Sequence, residues 1–149
     1  MGTEKSLHQQ SDKLIFFGVF LFFLGLVVGL FVPMLANPRM GLSTHLEGVM
    51  NGILLMVLGL IWRRLSLSAK ALKVAYILAL YGSFANFAVV LLAAITGAGK
   101  MMPMAGGKEG TPVQEILISF LLISLSLAMV AVCIFLMVGL YPKAKRLQP

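Results

Sequence analysis

Long uninterrupted apolar runs, rather than fine alternation, dominate the chain. Four of them, at about residues 13–32, 45–62, 69–95 and 113–141, reach or approach the ~20 residues that carry a helix across a hydrocarbon core. Lipid offers no partner to backbone N–H and C=O groups, so each run is predicted to be a helix that satisfies its own backbone. The expected architecture is all-α: one integral membrane domain over residues 1–149, folded as a four-helix bundle. Residues 1–12 are polar and are expected to fray. Pro33 ends the first run and Pro142 the last. Trp62, followed by Arg63 and Arg64, reads as an interfacial anchor and stop for the second. Ser66 and Ser68 are candidate caps for the third.

Polar residues inside such runs are costly and therefore informative. The second run holds His45, Glu47 and Asn51 within an otherwise apolar stretch, NPRMGLSTHLEGVMNGILLMVLGLIW, from Asn37 to Trp62. Asn37-Pro38-Arg39 reads as a short turn, after which Ser43 or Thr44 starts the helix. Thr44-His-Leu-Glu47 matches the capping-box spacing, so Glu47 is either a helix cap or a catalytic acid. At about 100° per residue, Gly48, Gly52 and Gly59 fall within about 60° of His45. That smooth face can accept another helix backbone or the flat ring of a cofactor. Asn51 lies about 120° around the helix from His45. A lone membrane histidine has two readings, a hydrogen-bonded structural residue or a ligand. In the third run Ala79, Gly82, Asn86 and Ala93 share one face, which places Asn86 on a surface expected to pack against protein. The first run carries Gly18, Gly25 and Gly29, the last two with the spacing that lets helices approach closely.

Composition agrees with this pattern. Hydrophobic residues make up 60% of the chain and charged residues 11%, against roughly 25% in soluble domains. The net charge of +7 is not a nucleic-acid signal, because of where the cations sit. Lys5, Lys13, Arg63, Arg64, Lys70, Lys73, Lys143, Lys145 and Arg146 fall on one side of a four-span topology, and Arg39, Lys100 and Lys108 on the other. That bias puts both termini in the cytoplasm, in contact with membrane lipid headgroups. The first run is too long for a signal-peptide core and is expected to be retained. Cys133 reads as a buried packing residue, and His8 as a solvated tail residue.

The longest loop, residues 96–112, is rich in Gly and Pro yet apolar through Met101, Met102 and Met104. It is a candidate lid over the bundle mouth, or a set of soft metal ligands. The inventory argues against other chemistries. It has no paired Cys or His for zinc, no carboxylate cluster for di-iron, no nucleotide-binding glycine loop and no Ser-His-acid set. One membrane histidine suits a haem with an open coordination position better than a bis-ligated electron carrier.

The stretch NPRMGLSTHLEGVMNG, with YGSFAN in the third run and the Gly/Pro loop after it, resembles the bacterial hydroxylaminobenzene mutases, relatives of styrene oxide isomerase. The resemblance extends over the whole chain, though only the second-run motif is specific. It implies an isomerase of the bacterial inner membrane acting on a small aromatic substrate in nitroaromatic catabolism. It also implies a homotrimer with haem b at subunit contacts. His45 would be the axial ligand of ferric iron, and Asn51, six residues later, would help orient substrate. Ala85-Asn86 matches the family's third-helix pair, Arg39 is a candidate partner for a haem propionate, and Glu47 could move a proton. The epoxide isomerases carry a tyrosine one turn after that asparagine, where this chain has Val90, which favours aryl hydroxylamine rearrangement over epoxide isomerisation. Outside the resemblance, a small transporter or a haem-binding assembly subunit remains the rival reading.

Overall fold

A computed structural model describes residues 2–145, with side chains described for residues 6–141. Lys143, Lys145 and Lys5, counted above among the cations of one flank, therefore lie outside the described side chains, and Arg146 outside the described residues. Four helices make up the fold: α1 (Gly2–Phe31), α2 (Pro38–Ile61), α3 (Ala69–Thr96) and α4 (Pro112–Lys145). All four are long and apolar enough to cross a membrane, and the chain is an all-helical, multi-pass membrane protein. Each helix packs chiefly on its neighbour in sequence, with α2 and α3 in the middle.

Glycine faces decide how α1 meets α2. A Cβ on Gly52 would lie 2.7 Å from the carbonyl oxygen of Gly18, and one on Gly25 2.8 Å from the amide nitrogen of Val49. The two backbones are in direct contact, as small-residue packing in lipid allows. The smooth face beside His45 is thus filled by α1. Of the two occupants that the sequence allowed for it, the structure chooses the helix backbone.

Two helix starts differ from expectation. Residues 2–12 continue α1 as a helix instead of fraying. Ser11 explains part of this, since its buried hydroxyl donates to the Gly59 carbonyl at 2.7 Å. Gln10 explains more: its side-chain carbonyl accepts from Trp62 Nε1 at 3.0 Å. Trp62 is fully buried, so it is a core residue that pins the start of α1 rather than an interfacial anchor. Helix α2 starts at Pro38, with Asn37 as its cap accepting from the Met40 amide at 3.2 Å. Proline at the first helical position fits there because its missing N–H has no intrahelical partner in any case. Thr44 is therefore inside the helix, and its hydroxyl bonds back to the Met40 carbonyl at 2.8 Å.

The remaining departures are smaller. Ser68 caps α3 as expected, accepting from the Ala71 amide. Helix α4 runs through Pro142 to Lys145 instead of stopping before the proline. Cys133 is exposed on the outer face of α4 instead of packing inside.

The α1–α2 connection and the α3–α4 loop meet at one end of the bundle. The Asn37 amide N–H donates to the Ala94 carbonyl at 3.0 Å, and its side chain donates to the Ala105 carbonyl at 3.2 Å. Asn37 thereby ties the start of α2 both to α3 and to the loop. Gly97 and Gly106 take positive φ values of 75° and 66°, which turn the chain into and out of the loop tip. At the rim, the Lys100 ammonium meets Glu109 at 2.7 Å and holds that carboxyl below its usual range.

Candidate active site

Helix α2 presents chemistry on two flanks. On the flank facing α1, His45 Nδ1 lies 2.8 Å from the Gly25 carbonyl oxygen. A carbonyl only accepts, so Nδ1 carries the proton and donates. In the neutral ring the lone pair is then on Nε2, the arrangement common to metal-bound histidines. The ring is seated over Gly29, where a Cβ would lie 2.7 Å from Nδ1. Around it is an apolar concavity of about 720 Å³ lined by Phe23, Leu26, Val27, Gly29, Leu30, Val32, Pro33 and Leu42. The glycines of the GLVVG stretch thus serve the histidine directly, a role that their spacing alone did not reveal.

On the flank facing α3 lies a polar cluster centred on Glu47. Its Oε2 accepts from Asn51 Nδ2 at 2.9 Å and from Asn86 Nδ2 of α3. The cluster joins three of the residues singled out from sequence. It also corrects the capping reading, because Glu47 is in the third turn of α2 and bonds side-chain amides rather than backbone N–H groups. Both asparagines donate to the same carboxylate oxygen, and Oε1 makes no hydrogen bond among the described residues.

A cavity of about 620 Å³ opens beside this cluster. Arg39, Ser43, Glu47 and Asn86 supply its polar lining, and Met40, Val90 and Leu122 part of its apolar wall. Asn51 is buried behind it, so its contact with the cavity passes through Glu47. Methionines of the α3–α4 loop complete the rim. A signal for this wall was present in the sequence. Arg39, Ser43, Glu47 and Asn51 recur every four residues, a single stripe on a helix. Starting α2 one turn and more too late hid its first half.

Within one chain His45 and Arg39 line different cavities, on different flanks of α2. Tyr81 is also apart from the cavity, with its hydroxyl 2.6 Å from Ser124 on α4. Val90, which follows Asn86 by one turn, is a buried part of the cavity wall and brings no hydroxyl. Among the described residues no three His, Cys, Asp or Glu side chains gather to hold a metal ion.

Comparison with known proteins finds relatives over most of the chain. Hydroxylaminobenzene mutase HabB of Ectopseudomonas oleovorans is 54% identical over 132 residues, covering 87% of this chain and 80% of that protein. Hydroxylaminobenzene mutase HabA of the same organism is 46% identical over 125 residues, covering 83% of this chain and 93% of that protein. No solved structure matches the chain. The styrene oxide isomerase family profile matches residues 10–141, which takes in both flanks of α2, the Glu47 cluster and the loop. The chain therefore belongs to the styrene oxide isomerase family, and it is an isomerase.

Proposed function

We propose that the chain rearranges an aromatic hydroxylamine to an aminophenol, with hydroxylaminobenzene to 2-aminophenol as the parent reaction and haem b as the cofactor. The observation that carries this reading is the carboxylate of Glu47, held by Asn51 and Asn86 with one oxygen free beside an otherwise largely apolar cavity. Such a cavity suits a small aromatic molecule that partitions into the membrane and carries one polar group. The names of the two relatives point to the same substrate class.

Haem b fits the other flank. His45 Nε2 would hold the iron, Gly25 would fix the ring through Nδ1, and the apolar residues from Phe23 to Leu42 would shelter the macrocycle. When bound, ferric haem supplies a Lewis acid that draws electron density from the hydroxylamine oxygen. The rearrangement breaks the N–O bond, forms a C–O bond on the ring, and moves one proton from that ring carbon to nitrogen, with no net redox. Glu47 Oε1 takes the ring proton and returns it to nitrogen. Asn86 faces the cavity and holds the polar end of the substrate. Asn51 keeps the carboxylate in position from behind.

In this reading a second copy completes the site. His45 and the Glu47 cluster face apart within one chain, so the His45 flank of one subunit serves the cavity of the next, as in the trimer expected from the resemblance. Arg39, at the mouth of that cavity, would then reach a propionate of the haem held by the neighbour. The termini and the cationic α2–α3 connection are proposed to face the cytoplasm, with the protein in the bacterial inner membrane.

The test is an absorption spectrum and turnover measured on one purified sample. A Soret band, turnover of hydroxylaminobenzene, and joint loss of both in His45→Ala are expected. A colourless preparation with full activity refutes the haem assignment. Turnover of styrene oxide but not of hydroxylaminobenzene refutes the substrate. Co-expression of His45→Ala with Glu47→Gln subunits should restore part of the activity that neither variant has alone. No recovery in mixed oligomers refutes the shared site.

A further inference from the structure

We propose that Met101, Met102 and Met104 form the wall that receives the aromatic ring, so that the α3–α4 loop sets which rings the site accepts. This rests on the reading of the Glu47 cavity as the substrate site. All three methionines line that cavity, together with Pro103. Glu47 and Asn86 lie among its polar lining, so a substrate that places its N–OH group on them has its ring left for apolar residues to cover.

Two features single out the loop. Its methionines are incompletely used by the protein: Met104 is 95% exposed and Met101 46%, while Met102 is half-buried against the cluster that includes Met40 and Val90. Thioether sulfurs make favourable contacts with ring edges, and unbranched methionine side chains adapt to the ring they meet. The base of the loop, in contrast, is fixed. Gly99 N donates to the Lys108 carbonyl at 3.1 Å, Lys108 N to the Gly97 carbonyl at 2.9 Å, and Met102 N to the Gly99 carbonyl at 2.8 Å. Gly99 and Gly107 cross so closely that a Cβ on Gly107 would lie 2.8 Å from the Gly99 Cα. Asn37 holds Ala105 from the other side. A rigid frame thus presents three flexible apolar side chains to the cavity. A para substituent on the ring, pointing away from the nitrogen, would run into them.

Methionine footprinting with chloramine-T tests the wall on the intact protein, with nitrobenzene as an inert ring carrying oxygen on nitrogen. Nitrobenzene should slow oxidation of Met101, Met102 and Met104. Met34 and Met137, 79% and 65% exposed away from the cavity, should oxidise at the unliganded rate. Equal oxidation of the loop methionines with and without nitrobenzene, at a concentration that competitively inhibits turnover, overturns the proposal. Met102→Ala supplies a second readout. KM for the parent substrate should rise about two- to tenfold, the range set by one sulfur–ring contact, with kcat unchanged. KM for a para-tert-butyl substrate should fall relative to the parent, and an unchanged ratio overturns the proposal. If the loop fails both tests while Glu47→Gln and Asn86→Ala still abolish turnover, the site stands and only the wall is wrong. If those variants are fully active as well, the site itself is misplaced.

Discussion

Replacing Glu47 separates its two roles, because glutamine preserves the shape of the cluster and alanine does not. Oε2 accepts two amide hydrogen bonds, one at 2.9 Å from Asn51 and one from Asn86. Bonds to a charged acceptor contribute about 1.5–3 kcal/mol each and neutral ones about 0.5–1.5. In Glu47→Gln the side-chain carbonyl still accepts both amides, so stability should drop by roughly 2 kcal/mol in total. In Glu47→Ala both asparagines lose their partner, at about 1–3 kcal/mol each, and the loss should be about twice as large. Turnover should behave differently. A group that moves a proton in the transition state contributes about 10²–10⁴-fold, and both variants should lose that much kcat. The assays are a thermal melt in detergent and turnover of hydroxylaminobenzene, with the Soret band as a control for haem content. Full turnover in Glu47→Gln would refute proton transfer by Glu47 and leave the cluster as a structural tie between α2 and α3.

Other substitutions test separate links. Asn51→Ala should keep haem and assembly yet slow turnover through a misplaced Glu47; loss of assembly instead would make Asn51 helix glue. Asn37→Ala should cost about 1 kcal/mol through the lost cap, and Thr44→Ala much less. The reverse order in thermal melts would restore the capping-box start of α2. Gly52→Ala places a methyl 2.7 Å from the Gly18 oxygen and from the Phe22 nitrogen, both backbone atoms that yield only if the helices part. It should destabilise by about 1–3 kcal/mol, and an unchanged melt would contradict the backbone contact of α1 and α2.

Much of the candidate site's geometry was legible because helical spacing is a local property. The separation of His45 from Asn51, and the placing of Asn86 on a packed face, need only about 100° per residue. The partners of Glu47 were not legible, and neither was the choice between cap and acid. Thr44-x-x-Glu47 fits a capping box at the level of residue types, and only the observed start at Pro38 shows that its backbone N–H groups already have helical partners. Trp62 was misread for a related reason. An aromatic before two arginines suits an interface, but Gln10 and the helical extension of α1 arrive from 52 residues away to bury it.

The sequence by itself determined four apolar helices, their order, and a second helix that carries His45, Glu47 and Asn51. Those follow from hydrophobic run length and from the need of backbone groups in lipid to pair within their own segment. Tertiary structure decided what each face of that helix meets. It gave the glycine face to α1, the Gly25 carbonyl to His45, and Asn86 to Glu47. Such pairings depend on which backbones come close enough to touch, and that is set by packing between segments far apart in the chain.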